Sequence, residues 1–469
     1  MPADRLHVTM RLSDNKSRFL LLATLLLLAF ASCESDTIDG PPDSPDGSDP
    51  QLAVPLLRVA IQTNGKTIVD EPKIMASMRM SAQDTVFYDG AIGIEYRGCS
   101  SQMFDKKSYG FETWDENGAD LQVVLAGFPE EEDWILYGPF SDKTLLRNVL
   151  IYALSNEIGR YASRTAFCEL FLNGRYEGVY VLMEKVKRDK NRVAISKLDA
   201  DDVTGGYILK IDKTCGDGGG GAEYTEAISF PSVYDGSGDP DGERKIHFLY
   251  DYPDTEDIDA AQRAYIQQYV HDFEAALMAA DFADPTTGYQ QYVDVSSFVD
   301  FFLLNELAHN PDAYRLSTFM HKDKGGKLKM GPIWDFNIAF GNVDYCSAWV
   351  TNDWAYRFND HCPLDLWQVP FWWKRLLEDP NFVDALKTRW NALRQGAFSF
   401  SFIDSLMATG RTRLEETGAL MDNFERWPIL GVYVWPNYYI GQTYDDEYEY
   451  LRGWISDRLT WMDAAINGL

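Results

Sequence analysis

Apolar positions that recur at every second residue characterise the chain from Leu52 to about Thr113. The runs LLRVAIQT, KIMASMRM, GAIGIEYRG and KKSYGFET alternate in this way, or are continuously apolar, between turn residues. Successive side chains of a strand point to opposite faces, so this period predicts β-strands. The hairpin-turn signal Asn173-Gly174 and an apolar run in Asp201–Lys213 extend the prediction. We therefore expect a β-rich region over residues 52–213.

A helical period replaces the alternation in one segment of this region and in most of the second half. Lys143–Gly159 has one apolar face, a Ser-Asp pair before it and a glycine at its end, as helices do. Further helices are predicted at Asp257–Ala280, Val295–Leu307, Phe371–Leu377, Phe382–Leu393, Ser401–Thr417 and Glu447–Asn467. The predicted fold class is α+β, with a mainly helical region over residues 214–469.

Two acidic residues flank a predicted hairpin early in the helical region. Asp312 follows a buried helix, and Asp335 follows the second strand of the hairpin Ser317–Lys322 and Lys327–Ile333. A hairpin brings its ends together, so both carboxylates can face one volume, to which Asn337 adds an amide oxygen. Such hard oxygen ligands suit Mg²⁺ or Mn²⁺. The alternative is that the two acids only cap turns or a helix start.

The composition excludes some classes of protein. Of 469 residues, 45% are hydrophobic and 14% aromatic, which allows a large core and excludes global disorder. A formal net charge of −29 argues against nucleic-acid binding, because most of the surface would repel phosphates. A nucleotide site would therefore need local cations. Arg97, Lys106 and Lys107 around one turn offer a positive spot, although lysines are also common on solvated edge strands.

The amino terminus has the features of an exported lipoprotein. Residues 1–33 combine a basic start, the short apolar core Phe19–Ala31 and a lipobox that ends at Cys33, which predicts a cleaved signal peptide and a lipidated cysteine. The alternative is an ordinary signal peptide with an incidental cysteine. Residues 34–51 are rich in Asp, Pro, Gly and Ser, which predicts a flexible tether. We expect a protein anchored in the bacterial cell envelope, on the periplasmic or surface face of the outer membrane.

The other cysteines are few and widely spaced. Cys99, Cys168 and Cys215 show no C-x-x-C spacing and no paired histidine, which argues against a zinc site. Cys346 and Cys362 lie 16 positions apart in one loop-rich stretch, and in an exported protein they can form a disulfide. The alternative, two free thiols, stays open because connectivity does not follow from sequence.

Several ordered segments carry a family resemblance. They are Arg97-Gly98-x-Ser100-Ser101 with Lys106-Lys107-Ser108-Tyr109; Leu145-Leu146-Arg147-Asn148; Leu172-Asn173-Gly174-x-Tyr176-x-Gly178-x-Tyr180-x-x-x-Glu184; Gly205-Gly206-Tyr207; and Asn310-x-Asp312-x-Tyr314 with Pro332-x-Trp334-Asp335-x-Asn337-x-x-Phe340-Gly341. In these segments and in their order, the chain resembles the spore coat protein H (CotH) family of atypical protein kinases. The resemblance covers roughly Gly93 to Leu393.

The resemblance implies an atypical protein-kinase-like fold of two lobes, a β-rich amino-terminal lobe and a mainly helical carboxy-terminal lobe. It also implies phosphorylation of Ser or Thr on a protein, with ATP and a divalent metal, Mg²⁺ or Mn²⁺, as cofactors. Asp335 would hold the metal together with Asn337, and Asp312 would orient the acceptor hydroxyl. These roles agree with the hard-oxygen ligand set that the hairpin brings together.

The resemblance also implies a set of nucleotide-binding residues. Lys107, on an early strand, is the candidate for contacting phosphate, and Arg97 adds a second cation nearby. Either Glu157 or Glu184 would orient the lysine; the choice stays open. Residues from Glu184 to Val186 close a strand where a lobe hinge is expected, and would meet the adenine. One departure is Lys210, where many relatives carry an acid.

Two other functions fit the same residues. A non-catalytic surface lipoprotein could use this scaffold to bind glycan or protein partners, since the aromatic stretch Trp349–Trp373 can stack on sugars. Those aromatic side chains can equally belong to the core. A metal-dependent phosphoesterase that uses the same carboxylates is a third function.

Overall fold

The computed structural model describes residues 54–199, 201–215, 223–234 and 246–469. The predicted signal peptide, its lipidation site Cys33 and the whole of the tether 34–51 lie outside the described residues. Among the residues that are described, no helix combines the length and the apolar character needed to cross a membrane.

Seven strands form a closed barrel. They are β1 (Leu57–Gln62), β2 (Ile74–Ala82), β3 (Thr85–Arg97), β4 (Ser108–Trp114), β5 (Asp133–Tyr137), β6 (Thr165–Leu172) and β7 (Arg175–Glu184), in the order β1-β2-β3-β4-β5-β7-β6. The parallel pairing of β1 with β6 closes the ring, whereas the other pairs are antiparallel. The alternation predicted for β1 is present, because Leu57, Val59 and Ile61 are all fully buried.

Five more strands form a second sheet. They are β8 (Tyr207–Ile211), β9 (Ser229–Pro231), β10 (His247–Tyr252), β11 (Thr318–Lys322) and β12 (Leu328–Met330), in the order β12-β11-β8-β10-β9. All neighbours are antiparallel, and β11 and β12 are the two strands of the predicted hairpin. In the β8–β11 register Thr318 faces Ile211, so the residues just beyond, Ser317 and Asp212, meet at one end of the sheet.

The helices of the described residues follow the predicted periodicity closely. They are α1 (Arg147–Glu157), α2 (Ala260–Met278), α3 (Val295–Ala308), α4 (Phe358–His361), α5 (Trp372–Leu376), α6 (Pro380–Leu393), α7 (Phe400–Glu416), α8 (Ala419–Arg426) and α9 (Tyr444–Asn467). Capping boxes begin α2, at Asp259 with Gln262, and α9, at Thr443 with Asp446. The short helices α4 and α8 had not been predicted from the sequence.

Strand β7 shows how the barrel joins the rest of the molecule. Its alternate residues Tyr180 and Leu182 pack inside the barrel core. The residues that alternate with them, Val179 and Val181, point outward into a larger core that also contains α1, the second sheet and the carboxy-terminal helices. Because both faces of one strand are buried, the barrel wall is shared by two hydrophobic cores.

The expectation of a two-lobed kinase-like fold is wrong. The chain instead has a closed seven-stranded barrel, a separate five-stranded sheet and helices packed against both. Strand β8, expected in a β-rich amino-terminal lobe, pairs with β10 and with the hairpin strand β11. The physical reason is that the outer barrel face and helix α1 are buried in the same core as the carboxy-terminal helices, so no lobe stands apart.

Two disulfides are present among the described residues. Cys346 and Cys362 are paired, which was one of the two alternatives that the sequence left open. Cys99 and Cys215, which the sequence did not suggest as partners, are also paired, with a Cα–Cα distance of 5.7 Å. This second disulfide joins the turn after β3 of the barrel to the segment after β8 of the second sheet. Cys168 is buried in the barrel as a thiol.

Candidate active site

Helix α1 holds the backbone around Asp335. The Asp335 N–H donates to the Tyr152 hydroxyl at 3.0 Å, and the Phe336 N–H donates to Asn148 Oδ1 at 2.7 Å. One turn earlier, Arg147 Nε donates to the carbonyl of Ala339 at 3.1 Å. Asp335 itself adopts a left-handed backbone conformation with φ of 61°, which the three bonds from one rigid helix support. The segment that carries Asp335 is therefore positioned by α1.

A buried arginine holds Asp312. Arg315 Nη2 donates to Asp312 Oδ1 at 2.9 Å, while its Nε donates to the carbonyl of Pro311 at 2.8 Å. The same guanidinium lies 3.7 Å from the centre of the Phe358 ring and reaches Asp365 at 3.2 Å. A planar cation with this many partners has little freedom. Asp312 is thus held in one orientation, and only one of its two carboxylate oxygens, Oδ1, is bound by Arg315.

A third carboxylate, that of Asp212, lies at the end of β8. Its Oδ1 accepts the N–H of Lys213 at 2.9 Å, and its carbonyl accepts the Tyr224 hydroxyl at 2.8 Å. The backbone N–H of Ser317, opposite it in the sheet, also donates to the Asp212 carboxylate. Ser317 ends the loop that begins at Asp312. The second sheet therefore brings Asp212 and the Asp312 loop to the same end of strands β8 and β11.

Two cations approach this site from different elements. The Arg97 guanidinium, at the end of β3, lies 5.4 Å from the centre of the Trp334 ring, next to Asp335. Lys213 Nζ donates to Ser100 Oγ at 2.8 Å, in the turn that follows Arg97. Gly98 begins that turn with φ of +94°, and a Cβ there would lie 2.0 Å from Ser101 Oγ, so the turn requires glycine.

The charges of these groups all act on the Asp335 carboxyl. Burial is the main cause that raises the pKa of the Asp335 carboxyl to about 6, and the negative charges of Asp312 and Asp212 raise it further. The positive charges of Arg97 and Lys213 oppose that rise. Carboxylates that repel one another in a partly buried place are poorly compensated by the protein alone. The residues therefore fit a hard divalent cation, whose ligands are carboxylate and amide oxygens.

Asn337 lies two residues beyond Asp335 on the same loop. Its Nδ2 lies 3.4 Å from Ser141 Oγ, and its carbonyl accepts an N–H from Asn342 Nδ2 at 2.9 Å. These bonds do not use the Asn337 Oδ1 atom, which is the atom that the predicted metal-binding role requires.

The remaining predicted site residues are distributed over the barrel and its surroundings. Lys107 Nζ donates to the Gln102 carbonyl in the turn after β3. Glu184 is fully buried and pairs with Arg164 at 2.8 Å, so it does not form an ion pair with Lys107 within the described residues. Glu157 is exposed at the last residue of α1. Glu184 thus belongs to an ion pair that is separate from the Lys107 contact.

Val186 belongs to a small apolar cluster beside the site. Its buried neighbours are Ile195, Ile208 and Phe319, and Trp334 packs against the same cluster. The cluster therefore adjoins the residue that precedes Asp335. Lys210, the departure from the family pattern, pairs with Asp251 at 3.2 Å on the neighbouring strand.

Sequence reasoning missed four residues of this site, namely Asp212, Lys213, Arg315 and Tyr152. Asp212 and Lys213 directly follow the apolar run of β8, and an acid at the end of a buried strand was an available signal. Tyr152 carried no signal, because a tyrosine inside an amphipathic helix is normally a core residue.

The aromatic stretch Trp349–Trp373 is mostly packed. Trp372 and Trp373 are fully buried, and Trp367 Nε1 donates to the Tyr224 hydroxyl at 3.0 Å. Exposed aromatic side chains lie instead between α8 and α9, at Tyr433, Trp435 and Tyr438.

A comparison with models of known protein families identifies the family of this chain. A model of the family described as CotH kinase protein matches residues 94–462, which is most of the chain and includes every carboxylate and cation of the site. The chain belongs to the CotH kinase family. Membership of this family associates the chain with an atypical kinase-like function. No curated protein matches the sequence.

Proposed function

We propose that this CotH-family protein transfers a phosphoryl group from ATP, with Mg²⁺ or Mn²⁺, to a Ser or Thr hydroxyl of an extracytoplasmic protein. The observation that carries the proposal is the separate support of two carboxylates that act on one volume. Asp335 is held by helix α1, and Asp312 is held by Arg315. Phosphoryl transfer needs mainly positioned charges, and two acids with separate anchors can take separate roles.

Asp335, with Asn337, is proposed to hold the metal, which when bound supplies positive charge to the phosphates. Asp312 is proposed to orient the acceptor hydroxyl and accept its proton. Arg315 occupies Oδ1 of Asp312, which leaves Oδ2 for the hydroxyl. Because Arg315 is almost fully buried and holds four groups at once, the Asp312 carboxylate needs no reorganisation before it meets the acceptor.

The nucleotide is proposed to lie between the barrel and the second sheet. Arg97 and Lys213 would contact its phosphates, since the charges of both act on Asp335 and the two residues come from different elements, the end of β3 and the segment after β8. Lys107 remains a further candidate for phosphate contact. The apolar cluster of Val186, next to Trp334, offers a surface for the adenine.

The test is labelled phosphate transfer from ATP with Mn²⁺, both to the chain itself and to dephosphorylated casein, combined with thermal unfolding. We expect Asp335→Ala to lose transfer by at least about 10²-fold and to lose stabilisation by ATP with Mn²⁺. Asp312→Ala should lose transfer but keep that stabilisation. Asp404→Ala, which removes a carboxylate from the surface ion pair with Arg452, serves as the matched control.

Two outcomes overturn the proposal. One is undiminished transfer by Asp335→Ala. The other is the absence of any stabilisation of the wild-type chain by ATP with Mn²⁺, since a bound ligand must stabilise the folded state. The second outcome would favour the alternative of a non-catalytic module that binds glycan or protein partners, for which the exposed Tyr433, Trp435 and Tyr438 are a candidate contact surface.

We also propose that Cys33 carries a lipid that anchors the protein in the bacterial cell envelope. The lipobox before it and the tether after it support this location. Metabolic labelling with a fatty acid tests it, because Cys33→Ala should abolish incorporation and release the protein from the membrane fraction.

A further inference from the structure

The second sheet presents an acid that the proposed function has not used. We propose that Asp212 is a second metal-binding carboxylate beside Asp335. One divalent cation is then held by Asp212, at the end of the second sheet, and by Asp335, in the loop that helix α1 supports. The inference rests on the proposed metal-dependent function and deepens it. It assigns to β8 a ligand that neither the hairpin motif nor the family match identifies.

Sheet register brings Asp212 to the site. Strands β8 and β11 are antiparallel with Thr318 facing Ile211, so Asp212 faces Ser317 at the end of the Asp312 loop. Ser317 has a left-handed φ of 47°, and its N–H is directed to the Asp212 carboxylate. The carboxylate is thereby held where the Asp312 loop joins the sheet.

Two contacts hold the end of β8 against the barrel turn that carries Arg97. The Cys99–Cys215 disulfide connects the residue two positions after Arg97 with the residue three positions after Asp212. Lys213 Nζ donates to Ser100 Oγ at 2.8 Å. Arg97 also lies over Trp334, the residue before Asp335, so the turn that holds the end of β8 also borders the Asp335 loop. The electrostatic effect of the Asp212 charge on Asp335 agrees with this placement.

A turn-capping role alone would also explain the backbone bonds of Asp212. Asp323, at the opposite end of β11, illustrates that role, because its carboxylate accepts the N–H groups of Ser196 and Lys324 at 2.8 and 2.7 Å. Asp323 acts as an ordinary cap with its pKa below the usual value. Asp212 also accepts a backbone N–H, that of Lys213, but its charge acts on Asp335 as well. Two carboxylates plus substrate phosphates is the ligand set that Mg²⁺ and Mn²⁺ commonly take.

The experiment compares Asp212→Asn with Asp323→Asn in the full chain. Binding of Mn²⁺ alone is measured by titration calorimetry and by the electron paramagnetic resonance signal of free Mn²⁺. We expect Asp212→Asn to weaken Mn²⁺ binding at least about tenfold, since even partners of metal ligands have effects of that size. Asp323→Asn should bind Mn²⁺ like the wild type, and Asp212→Glu should restore most of the affinity.

Thermal unfolding in a metal chelator separates the two roles of Asp212. Loss of a simple cap lowers the stability, as expected for Asp323→Asn. Removal of a carboxylate that repels Asp335 should leave the stability of Asp212→Asn equal to or above that of the wild type. Wild-type Mn²⁺ affinity in Asp212→Asn, together with loss of binding in Asp335→Ala, would overturn this inference and leave the proposed function intact. Absence of Mn²⁺ binding by the wild type would overturn both.

Discussion

Two acidic clusters in this molecule differ in how their charge is balanced. In the Lys187 cluster, the carboxylates of Glu131, Glu132 and Asp133 surround the Lys187 ammonium at 3.1, 2.8 and 2.7 Å. Their ligand atoms lie within 4.8 Å of one another, a spacing that a metal ion could use. The lysine already occupies that place, and its own pKa is raised by the surrounding carboxylates despite partial burial.

The Asp335 cluster, comprising Asp212, Asp312 and Asp335, has no lysine at its centre. Arg315 serves Asp312, while Arg97 and Lys213 are engaged by Trp334 and Ser100 beside the cluster. Its three carboxylates do not reach the 4.8 Å spacing among the residues that the structure describes. Acids packed around a shared lysine therefore form a structural ion cluster here, whereas the acids of the candidate site are more widely spaced and have their cations beside them.

The largest effect should come from removing the internal cation of the Lys187 cluster. Lys187→Met leaves three carboxylates without their shared partner, and we expect a loss of about 2–3 kcal/mol in the free energy of unfolding. Mn²⁺ or Ca²⁺ should recover part of that loss in Lys187→Met, because the vacated place has metal-ligand spacing. Chemical denaturation with and without the ion checks this. A variant as stable as the wild type would contradict the structural role of the cluster.

Acidification should act on the Asp335 cluster. The Asp335 pKa is raised from 3.8 to about 6, so the metal competes with a proton at this carboxylate. We expect Mn²⁺ affinity to be nearly constant above that pH and to fall about tenfold per pH unit below it. For stability the sign is the opposite, because a raised acid pKa makes the metal-free fold less stable as pH rises from about 4 to 6.

Titration calorimetry at pH 5, 6, 7 and 8 measures this affinity, and unfolding in a chelator between pH 4 and pH 7 measures the stability. Asp335→Asn should reduce the fall in unfolding stability between pH 4 and pH 6, whereas Glu306, whose pKa burial raises to about 7, retains its own contribution. An unchanged Mn²⁺ affinity between pH 7 and pH 5 would contradict the assignment of Asp335 to the metal.

The smallest effect concerns the two disulfides. Cys99→Ser with Cys215→Ser should lower Mn²⁺ affinity about threefold, because Asp212 loses a tether while its sheet hydrogen bonds remain. Cys346→Ser with Cys362→Ser is the matched control, and it should lower stability without changing Mn²⁺ affinity. Equal affinities in the two double variants would show that the Cys99–Cys215 link does not position the site.

Part of the candidate site could be read from the sequence. Asp312 and Asp335 were identified because turn residues and period-two runs define a hairpin, and a hairpin has a local geometry. The positions of α1, α3 and α9 were predicted for the same reason, since a periodic apolar face is a local property. Tyr152 and Asp212 were missed because their contacts join residues far apart in the chain.

The sequence by itself determined the local elements, the family pattern around Asp312 and Asp335, and the excess of negative charge that any anionic substrate must overcome. Tertiary structure alone decided that the strands close into a barrel, that β8 joins the second sheet, and that Cys99 pairs with Cys215. The physical reason is the range of the interactions. Periodicity and turn chemistry act over a few residues, whereas strand partners and the balance of charge depend on which buried faces meet in space.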